Sequence, residues 1–259
     1  MKAQHISIVL PAKNEAANLD PLLGRLRAMM PAAEIIVVDD GSTDATAEAV
    51  LRSTTALPQV RLLQHDRSCG QSAALRTGIL AAKGRIIATL DADGQNPPGD
   101  LPRLLAPLLA PGAAGLGLVQ GQRLKRQDRW TKRIGSRIAN GIRGALLRDG
   151  VRDSGCGFKA FPREVYLSLP YFDHIHRFMP AMVLREGFRV QVIDVGHAER
   201  QGGRSNYSNL QRALVGIVDL LGAAWLIRRR RLPRMLEPLD PSAALSGAGN
   251  EVTALPQER

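Results

Sequence analysis

The sequence predicts an α/β protein with a Rossmann-like, mostly parallel central sheet flanked by helices. Short apolar runs rich in Ile and Val recur along the first 123 residues, and helical patterns lie between them. Strands that alternate with helices indicate βαβ units around a parallel sheet. Polar clusters follow three of these runs, where open parallel sheets bind their ligands. The same edge of the sheet is therefore the expected site.

The predicted strands are apolar and bounded by turn formers or charges: 6–11, 34–40, 60–65, 85–93, 116–123 and 189–199. The predicted helices lie between the first five strands: 18–30, 45–52, 71–83 and 100–109. The first strand is followed by "PAKNE" and not by GxGxxG. A dinucleotide-binding Rossmann domain therefore lacks its fingerprint here.

Composition sets limits on the class of protein. The chain has 259 residues and 44% hydrophobic content, enough for one good core. Its two cysteines, Cys69 and Cys156, form no zinc-binding pattern and fit a reducing compartment. The first predicted strand begins at Ile6, which leaves no room for a cleaved signal peptide.

The net charge of +11 is concentrated in one region. Residues 121–163 contain 12 Lys/Arg and 3 Asp/Glu, whereas residues 1–120 contain 11 of each. Such a region favours an anionic partner, either a phosphate, a nucleic acid or a membrane surface. Within it, an apolar stripe from Trp130 to Leu146 recurs at every fourth residue and predicts a helix. The arginines outside that stripe fit a solvated basic face as well as a binding face.

The C-terminal part contains the apolar stretch 213–227, followed by four arginines, 228–231. This stretch is shorter than the about 20 residues that span a bilayer, and it contains Asp219. Trp225 and the arginines fit a helix in the membrane interface, and a buried core helix is the alternative. We thus predict a catalytic domain over 1–208, an interfacial helix over 209–235 and a disordered tail over 236–259.

The stretch "TLDADGQ" follows the fourth strand directly. Alternate residues of an extended segment point the same way, so Asp91 and Asp93 face one spot, and a bend at Gly94 brings Gln95 near it. Two carboxylates at such a short distance disfavour each other's ionised state. Hard oxygen ligands suit Mg²⁺ or Mn²⁺, which complete their shells with substrate phosphates. We therefore predict a divalent cation at this position.

The stretch "VVDDGSTD" also ends a strand in acids. Gly41 permits a tight turn, and Ser42 or Thr43 can cap the next helix. A carboxylate at Asp39 or Asp40 can accept a hydrogen bond from a base N–H or a ribose hydroxyl. A plain capped turn is the alternative, but it leaves two adjacent acids after four apolar residues without a role.

Six segments of the chain resemble, in order, those of a known enzyme family: "IVLPAKNEAANL", "IIVVDDGSTDAT", "GQSAALRTGILAAKGRIIATLDADGQNPP", "GQRLKRQD", "RDSGCGFKAF" and "RQGGRSNYS". They resemble family 2 glycosyltransferases of the GT-A fold. Within that family they are similar to the polyprenyl-phosphate branch typified by dolichol-phosphate mannosyltransferase. The resemblance covers roughly residues 5–208, and the order and spacing of the segments make it specific.

The resemblance implies a role for each matching residue. On the donor side, the residues expected near the nucleoside, base, ribose and diphosphate are Pro11, Asn14, Glu15, Asp39, Asp40, Asp91 and Ser205. Asp91, Asp93 and Gln95 are expected to bind the metal, and Asp93 and Arg200 to act in catalysis. Arg200 and Ser205 belong to a loop expected to close over the diphosphate.

On the acceptor side, the cationic residues expected to hold a phosphate are Arg123, Arg126, Arg133 and Arg137. The element Asp153, Gly157, Phe158 and Lys159 is expected to shape that side. The implied reaction is an inverting transfer of a hexose from a GDP- or UDP-linked donor to a polyprenyl phosphate, of undecaprenyl or dolichyl type. Such an acceptor is already ionised at neutral pH and needs no strong base. Transfer to a saccharide hydroxyl in cell-envelope polysaccharide synthesis is the alternative, with Asp153 as the candidate base.

Many relatives continue into two transmembrane helices, and none is visible in this sequence. We therefore expect a cytoplasmic protein held peripherally at the inner face of the cytoplasmic membrane. Attachment through residues 213–231 or delivery by a membrane-protein partner would achieve this. A nucleic-acid partner is disfavoured, because only 4% of the residues are aromatic and no helix-turn-helix or RNA-recognition pattern is present.

Overall fold

The computed structural model describes residues 6–56, 58–123, 141, 143–198 and 209–231. The helices and strands defined below lie within one compact unit that ends at Arg229. Several predictions fall outside the described residues. These are most of the helix expected between 130 and 146, the loop 200–208 and the tail 236–259.

Seven strands form one sheet: β1 (Ile6–Ala12), β2 (Glu34–Asp39), β3 (Val60–Gln64), β4 (Ile86–Thr89), β5 (Leu116–Arg123), β6 (Lys159–Pro162) and β7 (Arg189–Val195). Their order is β3-β2-β1-β4-β6-β5-β7. β6 is antiparallel to both of its neighbours, and the other paired strands are parallel. The predicted mostly parallel α/β sheet is confirmed.

Among the described residues, these helices accompany the sheet: α1 (Ala16–Met29), α2 (Thr46–Ala56), α3 (Gln71–Ala81), α4 (Leu101–Leu109), α5 (Arg163–Ser168), α6 (Ile175–Arg185) and α7 (Asn209–Arg229). The four helices predicted between the early strands are present within a few residues of their expected bounds. The predicted strand 85–93 ends at Thr89, because the chain turns directly after it. β6, α5 and α6 were not predicted.

The core has two halves, one on each face of the sheet. Ile8 and Leu10 of β1 pack with α1 and α4, whereas Val9 packs on the other face with α3 and α6. This is the alternation that an extended strand imposes. Both faces are covered, which is why the strands read as continuous apolar runs. Gly78 of α3 permits close contact, since a Cβ there would lie 2.4 Å from Val9 Cγ1.

Helix α7 contains the apolar stretch 213–227 and has a buried side and an exposed side. Its Ala223 is buried, and Asp219 accepts a 2.8 Å hydrogen bond from the ring of His174. Val218, Leu221 and Trp225 are instead 58–69% exposed. No helix in the described part of the chain is long and apolar enough to cross a membrane.

Candidate active site

The polar clusters that follow β1, β2 and β4 meet at one edge of the sheet, where parallel strands end. A cleft of about 330 Å³ lies there. Its lining residues come from four segments: Pro11, Ala12, Lys13, Glu15, Asp40, Ser68, Gly70, Gln71, Ala74, Asp91, Ala92 and Asp93. Five of the predicted site residues, from three motifs, are thereby brought together.

The segment after β1 is locked to the turn after β2. Asn14 has a left-handed backbone (φ 57°), and its N–H donates to Ser42 Oγ at 2.9 Å. Its side-chain Oδ1 accepts from the N–H of Thr43 at 2.8 Å. The N–H of Glu15 donates to Thr46 Oγ1 at 2.9 Å. The two motifs therefore form a single wall of the cleft.

Asp39 and Asp40 have different surroundings. Asp39 Oδ1 accepts from the N–H of Ser42 at 2.9 Å, so this residue closes the turn. Asp40 accepts from the N–H groups of Cys69 and Gly70, from Ser68 Oγ and from His65 Nδ1, at 2.7–2.9 Å. Burial acts to raise the pKa of Asp40, but these four donors together lower it below its ordinary value. Four donors match the acceptor capacity of a carboxylate, and Asp40 thus holds the loop that precedes α3.

The ligand atoms of Asp40, His65 and Cys69 lie within 4.8 Å of one another. His65 uses Nδ1 towards Asp40 and Nε2 towards Thr77 Oγ1, at 2.7 and 2.9 Å. Because both ring nitrogens are engaged, this group is a hydrogen-bonded network and not a metal site.

The turn after β4 has the predicted bend at Gly94, whose φ is 76°. The N–H of Asp91 donates to Asn96 Oδ1 at 3.0 Å, and the N–H of Gln95 donates to Asp93 Oδ1 at 3.1 Å. Asp91 and Asp93 line the cleft. Gln95 is not among the described residues that do so.

The two carboxylates leave an excess of negative charge. Burial and the nearby charge of Asp93 raise the pKa of Asp91 to about 6, although Lys159 and Arg123 act to lower it. A hydrogen bond of 2.8 Å from Gln71 Nε2 to Asp91 Oδ1 offsets only part of this cost. Two hard oxygen donors with uncompensated charge fit Mg²⁺ or Mn²⁺. Asp91 and Asp93 are therefore the residues that would hold such an ion.

Two cationic side chains, Arg123 and Lys159, also lie near Asp91. Arg123, at the end of β5, donates from Nε and Nη2 to both oxygens of Asp153, at 2.6 and 2.8 Å. This hydrogen bond raises the pKa of Arg123 above its ordinary value. Lys159 is 2% exposed and donates from Nζ to the carbonyls of Ser154 and Cys156. Arg123 and Lys159 therefore place two cationic side chains near Asp91, outside the lining of the cleft.

Gly157 allows the Asp91 carboxylate to occupy its position. A Cβ on Gly157 would lie 2.4–2.5 Å from the carboxylate atoms of Asp91. The carbonyl of Gly157 accepts from Thr89 Oγ1 at 2.7 Å, which fixes the glycine against the end of β4.

Sequence reasoning missed Gln71 and Asn96, both of which contact Asp91. Their only signal is position: Gln71 begins a helix beside the cleft, and Asn96 lies within the acidic turn. Five predicted site residues lie outside the described part of the chain: Arg126, Arg133, Arg137, Arg200 and Ser205.

This sheet, with an acidic cleft at its carboxyl edge, is the arrangement of a GT-A glycosyltransferase. The chain belongs to glycosyl transferase family 2, whose model matches residues 7–169. The fold is similar to the crystal structure of glucosyl-3-phosphoglycerate synthase from Mycobacterium tuberculosis in complex with Mn²⁺, UDP-glucose and phosphoglyceric acid. That likeness has a TM-score of 0.66 and 23% identity, over 86% of this chain and 80% of the other.

Sequence relatives carry related names. The chain is 34% identical to the dodecaprenyl-phosphate galacturonate synthase of Rhizobium johnstonii, over 90% of this chain and 70% of the relative. It is 35% identical to the undecaprenyl-phosphate 4-deoxy-4-formamido-L-arabinose transferase of Edwardsiella ictaluri, over 79% of this chain and 63% of the relative. It is 36% identical to the enzyme of the same name from Pseudomonas aeruginosa, over 80% and 61%. The chain thus spans about two thirds of the length of these relatives.

The raised pKa of Asp91 predicts a pH-dependent response to metal. Because its folded pKa of about 6 exceeds its ordinary value of 3.8, the stabilisation from protonated Asp91 is complete below pH 4 and is lost as the pH rises through about 6. Mn²⁺ must compete with this proton, so we expect the rise in melting temperature caused by Mn²⁺ to be small at pH 5 and large at pH 7.5. Asp91→Asn should abolish the response and be no less stable than the metal-free wild type at pH 7.5. Equal Mn²⁺ shifts at both pH values would contradict the assignment.

Gly157→Ala should displace the Asp91 carboxylate, because the new methyl group would overlap it. A side-chain end moves more easily than backbone, so we expect the protein to remain folded while Mn²⁺ affinity falls by about tenfold or more. Gly155→Ala is the matched control from the same loop, since its Cβ would meet no atom within 4 Å. Unchanged Mn²⁺ binding by Gly157→Ala, in titrations followed by the free Mn²⁺ signal, would show that Asp91 is not a ligand.

Proposed function

We propose that this glycosyltransferase moves one sugar from a GDP- or UDP-linked donor to a polyprenyl phosphate, with inversion at the anomeric carbon. The observation that carries the proposal is the acidic, metal-suited cleft, with the cationic side chains of Arg123 and Lys159 close enough to act on Asp91. The names of the relatives, which are polyprenyl-phosphate sugar transferases, support the same acceptor class.

The donor occupies the acidic cleft in this proposal. Asp91 and Asp93 would hold Mg²⁺ or Mn²⁺, which when bound would supply positive charge beside the diphosphate. The wall that carries Glu15 and Asp39 lies beside the nucleoside. Asp40, whose four acceptor positions are filled, is not expected to bind the nucleoside itself and supports this wall by holding the loop before α3. Arg200 and Ser205 close over the diphosphate, as the family resemblance implies.

The acceptor phosphate binds on the side of Arg123 in this proposal. Its oxygen attacks the anomeric carbon opposite the diphosphate, a C–O bond forms, and the bond to the diphosphate breaks with its electron pair on the departing oxygen. Arginine has five N–H donors, of which Asp153 engages two on Arg123, and the others can serve a phosphate. Asp153, paired with a guanidinium, is a weak base. This pairing disfavours a saccharide hydroxyl as acceptor.

The test supplies labelled GDP-mannose, UDP-glucose, UDP-galacturonate or UDP-4-deoxy-4-formamido-L-arabinose with Mn²⁺ and either undecaprenyl phosphate or water-soluble saccharides. We expect transfer to the lipid phosphate with one of these donors, and Arg123→Ala should raise the KM for the lipid more than that for the donor. Arg61→Ala is the control, because Arg61 pairs with Glu34 away from the cleft. Transfer only to soluble saccharides would overturn the proposal.

Helix α7 supplies a membrane-facing surface in this proposal, with attachment at the inner face of the cytoplasmic membrane. Val218, Leu221 and Trp225 follow one another at helical spacing and are exposed. Arg228 and Arg229 end the helix, and the guanidinium of Arg229 lies 5.7 Å from the ring centre of Trp225. An apolar stripe, an interfacial tryptophan and terminal arginines suit an anionic lipid surface.

Flotation with vesicles checks this attachment. Wild type should float with phosphatidylglycerol vesicles and much less with phosphatidylcholine alone. The double substitution Val218→Ser and Leu221→Ser should weaken flotation by about tenfold or more, because it removes two apolar side chains from the lipid contact. Leu51→Ser, which changes a 52% exposed leucine of α2, should float like wild type. Wild type that floats only when a membrane protein is present would instead indicate delivery by such a partner.

A further inference from the structure

The first two residues of α3 face in different directions. Gln71 lines the cleft and donates from Nε2 to Asp91 Oδ1 at 2.8 Å. Ser72 is fully buried, and its Oγ lies 2.8 Å from Nδ1 of His176, in the first turn of α6. One short segment therefore links an acid of the cleft to the buried contact between two helices.

The Ser72–His176 contact is built for a neutral imidazole. His176 is 7% exposed. Burial, together with the nearby cations Lys159, Arg177 and His174, holds the pKa of His176 well below its usual range. The backbone N–H of His176 also points at Ser72 Oγ, at 3.5 Å. The Ser72 hydroxyl can donate to Nδ1 or accept from it, according to the tautomer of the neutral ring, and either arrangement joins the two helices.

The start of α3 has no side-chain cap to hold it. Gly70 precedes the helix with φ 90°, and the N-cap position makes no side-chain hydrogen bond. Its local anchors are the N–H of Gly70, which donates to Asp40 Oδ2, and the Ser72 hydroxyl. Successive residues on a helix differ by about 100° in direction, so fixing Ser72 against α6 fixes the direction in which Gln71 leaves the helix.

We propose that Ser72 and His176 are positioning residues for the metal-binding carboxylate of Asp91 and act on it through Gln71. This inference rests on the proposed function, in which Asp91 holds the metal ion. The side-chain amide of Gln71 sets the rotation of the Asp91 carboxylate, and Ser72 and His176 keep that amide in place. Groups that orient metal ligands in this way commonly affect metal affinity by about 10- to 100-fold.

The experiment measures Mn²⁺ affinity from the spin resonance of free Mn²⁺, with the whole 259-residue chain, UDP or GDP present and no acceptor. Gln71→Ala should weaken Mn²⁺ binding by about tenfold, and Ser72→Ala should weaken it in the same direction by a smaller factor. In the Gln71→Ala background, Ser72→Ala should cause no further loss, because its effect passes through the missing amide. Ser7→Ala is the matched control: Ser7 is also fully buried and hydrogen-bonded, but to Glu34 and the N–H of Gly84 at the other end of the sheet.

The outcomes separate this inference from the proposed function. Wild type that does not bind Mn²⁺ would remove the metal role of Asp91, and with it both proposals. Wild-type binding with unchanged affinity in Ser72→Ala, or an equal further loss in the double variant, would overturn the positioning role alone. If Ser72→Ala does not fold, Ser72→Cys fills the site with a slightly larger side chain and weakens the hydrogen bond to His176. It should show the same partial loss, and wild-type affinity in that variant would equally overturn the inference.

Discussion

The structure is organised around two carboxylates at the end of one strand. Asp91 and Asp93 leave a local excess of negative charge, and burial raises the pKa of Asp91 to about 6. Without compensating groups, burial and the neighbouring charge would favour the protonated form of Asp91. The surrounding chain limits this cost without cancelling it, through the amide of Gln71 and the charges of Lys159 and Arg123. A fully neutralised pair would need no ion, whereas an incompletely neutralised pair favours binding one.

The topology of the sheet explains how the compensating groups reach Asp91. β6 is inserted antiparallel between β4 and β5, and its register pairs Lys159 with Thr89. The chain therefore enters β6 beside the acidic turn, which brings Gly157 against the Asp91 carboxylate and places the ammonium of Lys159 nearby. A parallel strand at this position would begin at the opposite edge of the sheet. The antiparallel direction of β6 therefore places Gly157 and Lys159 beside Asp91.

The sequence predicted the strands that are buried on both faces, because short runs of Ile and Val bounded by turn formers are typical of strands that helices cover on both sides. It also predicted the edge of the sheet at which the acids meet. β6 escaped prediction because "KAFP" has four residues, too few to show a period. The contact of Gln71 with Asp91 and the four donors around Asp40 depend on loop paths that no local pattern encodes. Hydrogen bonds between residues far apart in the sequence could therefore not be predicted from local patterns.

The Arg123–Asp153 pair links the electrostatics of the site to the kind of acceptor it suits. Both side chains are less than 20% exposed, and removing one partner of a buried pair costs about 3–5 kcal/mol of stability, because the other charge is left unpaired. An acceptor that required Asp153 to remove a proton would neutralise this carboxylate and leave the guanidinium without its partner charge. An acceptor that arrives ionised leaves the pair intact and uses the remaining donors of the guanidinium, which Asp153 already orients. The Asp153 carboxylate is a poor base while it is paired with Arg123, and it holds the guanidinium in a fixed orientation. Both effects favour an anionic acceptor.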